Sequence, residues 1–197
     1  MNLRKPFIVE FTGTPEAGKT TVIKHLHERL IKLGYKVKIY PESAENSPSF
    51  FPKGCIEAKL WINFDITKHV LEAPHQTDYD IILFDRGTID NIFWMHLDSI
   101  YNPEVSSKSH VLKDILTNYY PDFLITLSIP VEETIKRRGG EGRLVTREFV
   151  TTYNRLFKCF INSLQINKVN IPTENKSIEE VVNITTNYIL ENLKSHS

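Results

Sequence analysis

The chain has few cysteines and no excess of charge of either sign. Its only cysteines, Cys55 and Cys159, lie far apart in 197 residues, so they form neither a disulfide framework nor a metal-ligand spacing. This usage suits a reducing compartment and predicts a cytoplasmic protein. The 24 lysines and arginines balance 24 aspartates and glutamates, which argues against the strong positive field of a protein that coats nucleic acid.

Long apolar runs are missing as well. No apolar segment approaches the length that crosses a bilayer, and residues 1–6 lack the following apolar core of a signal peptide. There are no repeats, low-complexity tracts or obvious linkers, so the length predicts one domain, residues 1–197, with a substantial core. We expect no membrane partner.

One motif is present, the segment Gly13-Thr14-Pro15-Glu16-Ala17-Gly18-Lys19-Thr20. It fits the pattern of the phosphate-binding loop called Walker A. A short apolar run precedes it and a segment with helical spacing follows, which is the strand–loop–helix setting that the motif requires. Lys19 is predicted to reach the β- and γ-phosphate oxygens of ATP, and the Thr20 hydroxyl to ligate Mg²⁺. The predicted nucleotide contacts are Gly13, Pro15, Glu16, Ala17, Gly18, Lys19, Thr20 and Thr21.

Strand and helix patterns alternate along the rest of the chain. Strands are predicted at 7–11, 36–40, 79–84, 123–129 and 168–171. The polar segment 101–109 is predicted to be a surface loop, and Ser177 with Glu180 forms a capping box for the last helix. This alternation predicts an α/β fold of three layers, a parallel sheet with helices on both faces. Ligands of such folds bind at the carboxyl ends of the strands.

Charged residues follow the second and third strands. Asp85 ends an apolar strand, the form of a Walker B element, and is predicted to hold Mg²⁺ beside Thr20. Arg86 comes next and is predicted to bind phosphate or substrate oxygens. Glu42 is predicted to take the proton from an acceptor hydroxyl, although Glu45 is close enough in sequence to compete for that role.

The Arg/Gly-rich segment 137–147 has the composition of a lid. Its glycines would act as hinges, and Arg138 and Arg143 would close over the phosphates; the alternative is a flexible basic loop. Asp90 either lines the cleft or caps a helix. A group of aromatic residues either forms a slot for a flat substrate or belongs to the core, namely Trp61, Phe64, Phe93, Trp94 and Tyr153.

The Walker A loop, Glu42, Asp85-Arg86-Gly87 and the arginine-bearing lid together resemble the nucleoside and nucleoside-monophosphate kinases. Deoxynucleoside kinases and thymidylate kinases are the nearest comparison, over residues 7–193. The resemblance implies a five-stranded sheet of order 2-3-1-4-5 in a P-loop kinase domain. It also implies that Glu42 matches a catalytic base, that Arg86 matches an arginine contacting substrate or phosphate, and that a homodimer is compatible.

The chain also departs from both groups. Thymidylate kinases usually carry an acidic residue near the place of Pro15, and deoxynucleoside kinases typically have Glu-Arg-Ser where this chain has Asp85-Arg86-Gly87. Asp-Arg-Gly followed by Asp90 is similar to a loosely defined group of small P-loop ATPases and kinases.

The sequence thus predicts an ATP- and Mg²⁺-dependent phosphotransferase acting on a small acceptor with a hydroxyl or phosphate group, a nucleoside or a nucleotide. One alternative is a regulatory P-loop ATPase that has no small-molecule acceptor. The other is a polynucleotide 5′-kinase, against which the balanced charge argues.

Overall fold

The computed structural model describes residues 5–52, 54–101, 103–139 and 146–196. One parallel sheet has the strand order 2-3-1-4-5. Its strands are β1 (Phe7–Gly13), β2 (Val37–Tyr40), β3 (Ile81–Asp85), β4 (Phe123–Ser128) and β5 (Lys168–Pro172). The α-helices are α1 (Lys19–Lys32), α2 (Ile56–Glu72), α3 (Thr88–Tyr101), α4 (Pro103–Leu116), α5 (Val131–Arg137), α6 (Arg147–Ser163) and α7 (Ile178–His196). The predicted fold class and strand order are confirmed.

Apolar side chains cover both faces of the sheet. In β3, Ile81 and Leu83 pack into the layer formed with α1 and α7, whereas Ile82 and Phe84 pack into the layer formed with α2, α3 and α4. Every residue of β3 is buried, because successive side chains of a strand point to opposite faces and both faces are covered here. A third apolar cluster joins α3 and α6.

The prediction of a surface loop at 101–109 is wrong. Helix α3 extends to Tyr101, and α4 begins at Pro103. The polar composition of this segment suggested a loop. Proline, however, has a fixed φ that suits the first turn of a helix, where its missing N–H costs no hydrogen bond. Among the helices of the described ranges, none is long and apolar enough to cross a membrane.

The parallel register brings the charged segments to one edge of the sheet. Phe11 of β1 lies beside Asp85 of β3, and Tyr40 of β2 lies beside Phe84. The strands therefore end together, and the chain leaves them through the Walker A loop after β1, Glu42 after β2 and Arg86 after β3. This edge is the place where an α/β fold binds its ligands.

Candidate active site

Close contact with β4 fixes the start of the Walker A loop. Gly13 has a φ of +124°, and a Cβ at this position would lie 2.1 Å from the carbonyl oxygen of Leu127. The N–H of Thr14 donates to the same oxygen at 3.0 Å. Glu16 and Gly18 also have positive φ values, 61° and 85°, and such left-handed turns form anion-binding concavities of backbone N–H groups. Helix α1 begins directly after Gly18, so its N-terminus adds to the site.

Lys19 is buried within this loop. Its Nζ donates to the carbonyl oxygen of Thr14 at 2.9 Å and to that of Gly13 at 3.4 Å. Burial, together with the nearby guanidinium of Arg86, lowers the pKa of Lys19 from 10.5 to about 7. The carbonyls carry only partial negative charge, so a phosphate oxygen would be a stronger partner for this ammonium group.

Thr20 and Asp85 meet at the centre of the site. The Thr20 hydroxyl donates to Oδ2 of Asp85 at 2.5 Å. Oδ1 of Asp85 is buried and has no hydrogen-bond partner among the described residues, and burial raises the pKa of this carboxyl group. A buried carboxylate oxygen without a partner, next to a hydroxyl, is the kind of hard oxygen ligand that Mg²⁺ prefers. The residues present therefore fit the predicted metal.

Arg86 lies between two carboxylates. Its Nε is 2.8 Å from Oε1 of Glu42, and its Nη1 donates to Oδ1 of Asp90 at 2.8 Å. Its backbone is left-handed, with a φ of 64°. The structure thus brings Glu42, Arg86 and Asp90 together, and the Asp90 side chain is buried beside Arg86. Glu45 instead lies exposed on the short 3-10 helix Ser43–Asn46.

Two arginines of the predicted lid contact the Walker A loop. Arg138 donates to Oε1 of Glu16 at 2.5 Å, and Arg137 donates to the backbone carbonyl of the same residue at 3.1 Å. Arg143 lies outside the described residues. Arg147 starts α6 and forms an ion pair with Glu132 of α5.

The other predicted nucleotide contacts are placed around the same loop. Pro15 is half-buried, Ala17 is buried, and Thr21 is exposed on the first turn of α1. The carbonyl of Ala17 accepts a hydrogen bond from the Thr173 hydroxyl at 3.2 Å. The segment after β5 therefore borders the loop.

The aromatic residues divide between core and surface. Phe93 and Tyr153 are buried, with ring centroids 5.2 Å apart, whereas Phe64 is 59% exposed. Trp61 and Trp94 are half-buried. Tyr153 has a second contact that the spacing did not predict, because its hydroxyl donates to the Gly13 carbonyl at 3.3 Å. This residue ties α6 to the Walker A loop.

Glu10 is a further residue that the sequence interpretation missed. It lies in the middle of β1, is only 1% exposed, and accepts the backbone N–H groups of Ile89 and Asp90. Burial raises its pKa from 4.5 to about 7. The available signal was a lone carboxylate inside an apolar strand, since glutamate is almost never fully buried without a partner.

A 2-3-1-4-5 parallel sheet with a Walker A loop between β1 and α1 defines a P-loop nucleotide-binding protein. The profile of the AAA domain family matches residues 8–180. The chain belongs to this family.

Curated relatives and solved structures agree with this assignment. A probable thymidylate kinase of Methanococcus aeolicus is 27% identical over 188 residues, covering 89% of this chain and 91% of the relative. Another, from Sulfurisphaera tokodaii, is 26% identical over 197 residues, covering 96% and 98%. A structure of deoxyadenosine kinase from M. mycoides has a TM-score of 0.69 at 20% identity, covering 93% of this chain and 99% of that chain. The predicted resemblance to P-loop nucleoside and nucleotide kinases, and the enzyme class of P-loop kinase, are confirmed.

Proposed function

We propose that the protein is an ATP- and Mg²⁺-dependent kinase that transfers a phosphoryl group to a hydroxyl of a small nucleoside-type acceptor. The observation that carries the proposal is the contact of Glu42 with Arg86, beside the Walker A loop. A carboxylate at this place accepts a proton, and the positive charge of the guanidinium attracts it.

The donor side of the site would be formed by the Walker A loop. Lys19 would exchange its contacts with the Thr14 and Gly13 carbonyls for phosphate oxygens, and Arg138 and Arg143 of the lid would stabilise charge on the transferred group. Thr20 and Asp85 would hold Mg²⁺. When bound, this ion supplies positive charge against the phosphate oxygens.

The acceptor side would act through Glu42. Its carboxylate takes the proton of the acceptor hydroxyl while the oxygen attacks the γ-phosphorus and the bond to the ADP oxygen breaks. Arg86 keeps the carboxylate facing the cleft, and positioning with electrostatic stabilisation accounts for most of the catalysis.

The charges around Arg86 favour a hydroxyl over a phosphate as the acceptor. Two carboxylates, Glu42 and Asp90, already lie 2.8 Å from this guanidinium. An acceptor phosphate dianion placed there would meet both carboxylates as like charges, which costs free energy in a buried site. A neutral hydroxyl meets no such repulsion and donates a hydrogen bond to Glu42.

The predicted cytoplasmic location belongs to this proposal. Cys55 and Cys159 are free thiols, which fits a reducing compartment.

The test measures ADP release from Mg-ATP in the presence of nucleosides, nucleoside monophosphates or 5′-hydroxyl oligonucleotides. The variants are Lys19→Ala, Glu42→Gln and, as the matched control, Glu45→Gln. We expect nucleosides to stimulate ADP release, Lys19→Ala to abolish it and Glu42→Gln to lower it by about 10²–10⁴-fold. Glu45→Gln should behave as the wild type.

Three outcomes contradict the proposal. A preference for monophosphates refutes the hydroxyl acceptor. Stimulation by 5′-hydroxyl oligonucleotides alone identifies a polynucleotide kinase. ATP hydrolysis that no acceptor stimulates, and that Glu42→Gln leaves unchanged, identifies a regulatory ATPase.

A further inference from the structure

Helix α3 begins without a capping side chain of its own. The first N–H groups of a helix have no partner within the helix, and the residue before it usually supplies one through a Ser, Thr, Asp or Asn side chain. Here Thr88 opens the helix and Gly87 precedes it, so this position offers no side-chain acceptor.

Glu10 of β1 supplies the missing acceptors from another element. Its Oε2 accepts the N–H of Ile89 at 3.0 Å, and its Oε1 accepts the N–H of Asp90 at 2.8 Å. These are the second and third helical residues, the N–H groups that a capping side chain normally binds. The positive end of the helix dipole favours an anion at this place.

Gly87 makes room for this arrangement. A Cβ on residue 87 would lie 3.0 Å from Oε2 of Glu10, which is tighter than ordinary van der Waals contact. The capping carboxylate and a side chain at position 87 therefore compete for the same space. The cap from Glu10 therefore depends on the missing side chain of Gly87.

The first turn of α3, which Glu10 caps, contacts the acceptor side of the site through Asp90. Asp90, whose N–H is held by Glu10, binds Nη1 of Arg86 through Oδ1, and Nε of Arg86 lies 2.8 Å from Glu42. The Thr12 hydroxyl, also on β1, donates to the same Oδ1. Strand β1 thus holds both the backbone and the side chain of Asp90.

We propose that Glu10 is a positioning residue, a carboxylate from β1 that caps α3 and, through Asp90, holds Arg86 against Glu42. The left-handed backbone of Arg86, with a φ of 64°, supports this role, because such a conformation persists in a residue other than glycine only where its surroundings fix it. The catalytic consequence rests on the proposed function of the site, whereas the capping geometry does not depend on it.

The test compares Glu10→Ala with the double variant Glu10→Ala/Gly87→Ser. The alanine removes the cap and opens the space beside residue 87 on the side of Glu10, whereas Cβ of Phe84 stays 3.2 Å from a Cβ at that position. The serine then offers a capping hydroxyl from the usual position before the helix. Asp122→Asn is the matched control, since Asp122 accepts the N–H of Ile8 at 2.8 Å and so contacts the backbone of the same strand at its other end.

Steady-state kinetics provide the first measurement. We expect kcat with the acceptor to fall by about 10–100-fold in Glu10→Ala, since displacement of a catalytic group by about 1 Å has effects of this order. The Kd for ATP should change less than about threefold, because the Walker A loop is not altered. The double variant should recover most of the loss, and Asp122→Asn should keep the wild-type kcat.

NMR provides a second measurement that requires no activity. Amide hydrogen exchange of Ile89 and Asp90 should accelerate in Glu10→Ala and slow again in the double variant. The side-chain Nε–H signal of Arg86 should shift in the first variant and return in the second.

The two measurements separate the possible failures. Unchanged exchange and an unchanged Arg86 signal in Glu10→Ala overturn the positioning role, whether or not the wild type is a kinase. Normal kcat in a less stable Glu10→Ala protein also overturns it and leaves a purely structural cap. If the wild type transfers no phosphoryl group, the proposed function fails and the NMR result alone decides the role of Glu10.

Discussion

Among single residues, a substitution at Asp85 best distinguishes Mg²⁺ binding from nucleotide binding. Asp85→Asn keeps the shape of the side chain and an acceptor for the Thr20 hydroxyl, but it removes the charge and one hard ligand. We expect the Mg²⁺ concentration for half-maximal ADP release to rise at least about tenfold. Metal-free ATP binding should stay within about threefold of the wild type.

A Mg²⁺ titration of ADP release, with nucleotide binding measured in EDTA, checks this prediction. An unchanged half-saturating Mg²⁺ concentration in Asp85→Asn would contradict the role of the carboxylate.

Glu10 should make stability depend on pH. Burial raises its pKa from 4.5 in the unfolded chain to about 7 in the fold. The backbone N–H groups of Gly87, Ile89 and Asp90 favour the charged form and lower the pKa, but burial has the larger effect. Between these pH values the folded state binds more protons at Glu10, so the contribution of Glu10 to stability is greatest below pH 4.5 and falls as the pH rises to 7. For each pH unit in this range, the free energy of unfolding falls by at most about 1.4 kcal/mol.

Urea denaturation of the wild type and Glu10→Gln at pH 5, 6, 7 and 8 measures this effect. Glutamine does not titrate, so the free energy of unfolding of the wild type should fall relative to that of the variant between pH 5 and 7. Asp85, whose pKa burial raises, is present in both proteins, so its titration contributes to both curves. A constant difference across this range would show that Glu10 titrates at the same pH in both states.

The site residues that lie next to one another in the sequence could be predicted from it. The Walker A loop is one continuous segment, and Asp85 with Arg86 follows a strand directly. Glu10 and Asp90, by contrast, meet across 80 positions of sequence, and Tyr153 reaches Gly13 across 140. No local pattern encodes such contacts, because they depend on how distant elements pack.

At the scale of elements, the junction between β1, the Walker A loop and β4 determines the nucleotide site. Gly13→Ala would place a Cβ 2.1 Å from the Leu127 carbonyl oxygen, so either β4 or the loop must move. We expect a loss of about 3 kcal/mol or more in the free energy of unfolding, since overpacking against backbone is among the most disruptive changes. ATP binding should be lost with it.

Gly34→Ala is the matched control for backbone strain. Gly34 also has a positive φ, +94°, but in the described part of the chain a Cβ there meets nothing within 4 Å. We expect this variant to lose about 1 kcal/mol and to bind ATP normally. Equal losses in both variants, measured by urea denaturation, would show that the contact with Leu127 is unimportant.

Elements with a clear hydrophobic pattern could be predicted from the sequence. Helix ends that depend on packing against other helices were harder to predict. The central strands β1, β3 and β4 are mostly apolar runs, which is the pattern of strands buried on both faces. The edge strands β2 and β5 instead alternate polar and apolar residues. The segment 101–109 lacks such a pattern, and its polar composition hid the end of α3 and the start of α4.

For the whole molecule, nucleotide binding should appear as added stability. A ligand that binds only the folded state at about 100 times its Kd adds about 2.7 kcal/mol, which raises the Tm of a domain of this size by about 5–10 °C. Differential scanning fluorimetry with Mg-ATP checks this, with Lys19→Ala as the control that should show no shift. An unchanged Tm of the wild type at saturating Mg-ATP would contradict binding at the Walker A loop.

The architecture followed from the sequence because alternating strands and helices permit few topologies. The strand order came from the resemblance to P-loop kinases and is confirmed. The homodimer stays a prediction, since a helical face that packs on a second copy has the same apolar pattern as one that packs on the sheet.

The mutual fit of Glu10 and Gly87 has an evolutionary consequence. A glutamate at position 10 favours glycine at position 87, because a Cβ there would lie 3.0 Å from Oε2 of Glu10. A serine, threonine or aspartate at position 87 would cap α3 itself and crowd the glutamate. The two positions should therefore covary across the AAA domain family. Family members with serine, threonine or aspartate at position 87 should lack the glutamate at position 10. Members that keep this glutamate should keep the glycine.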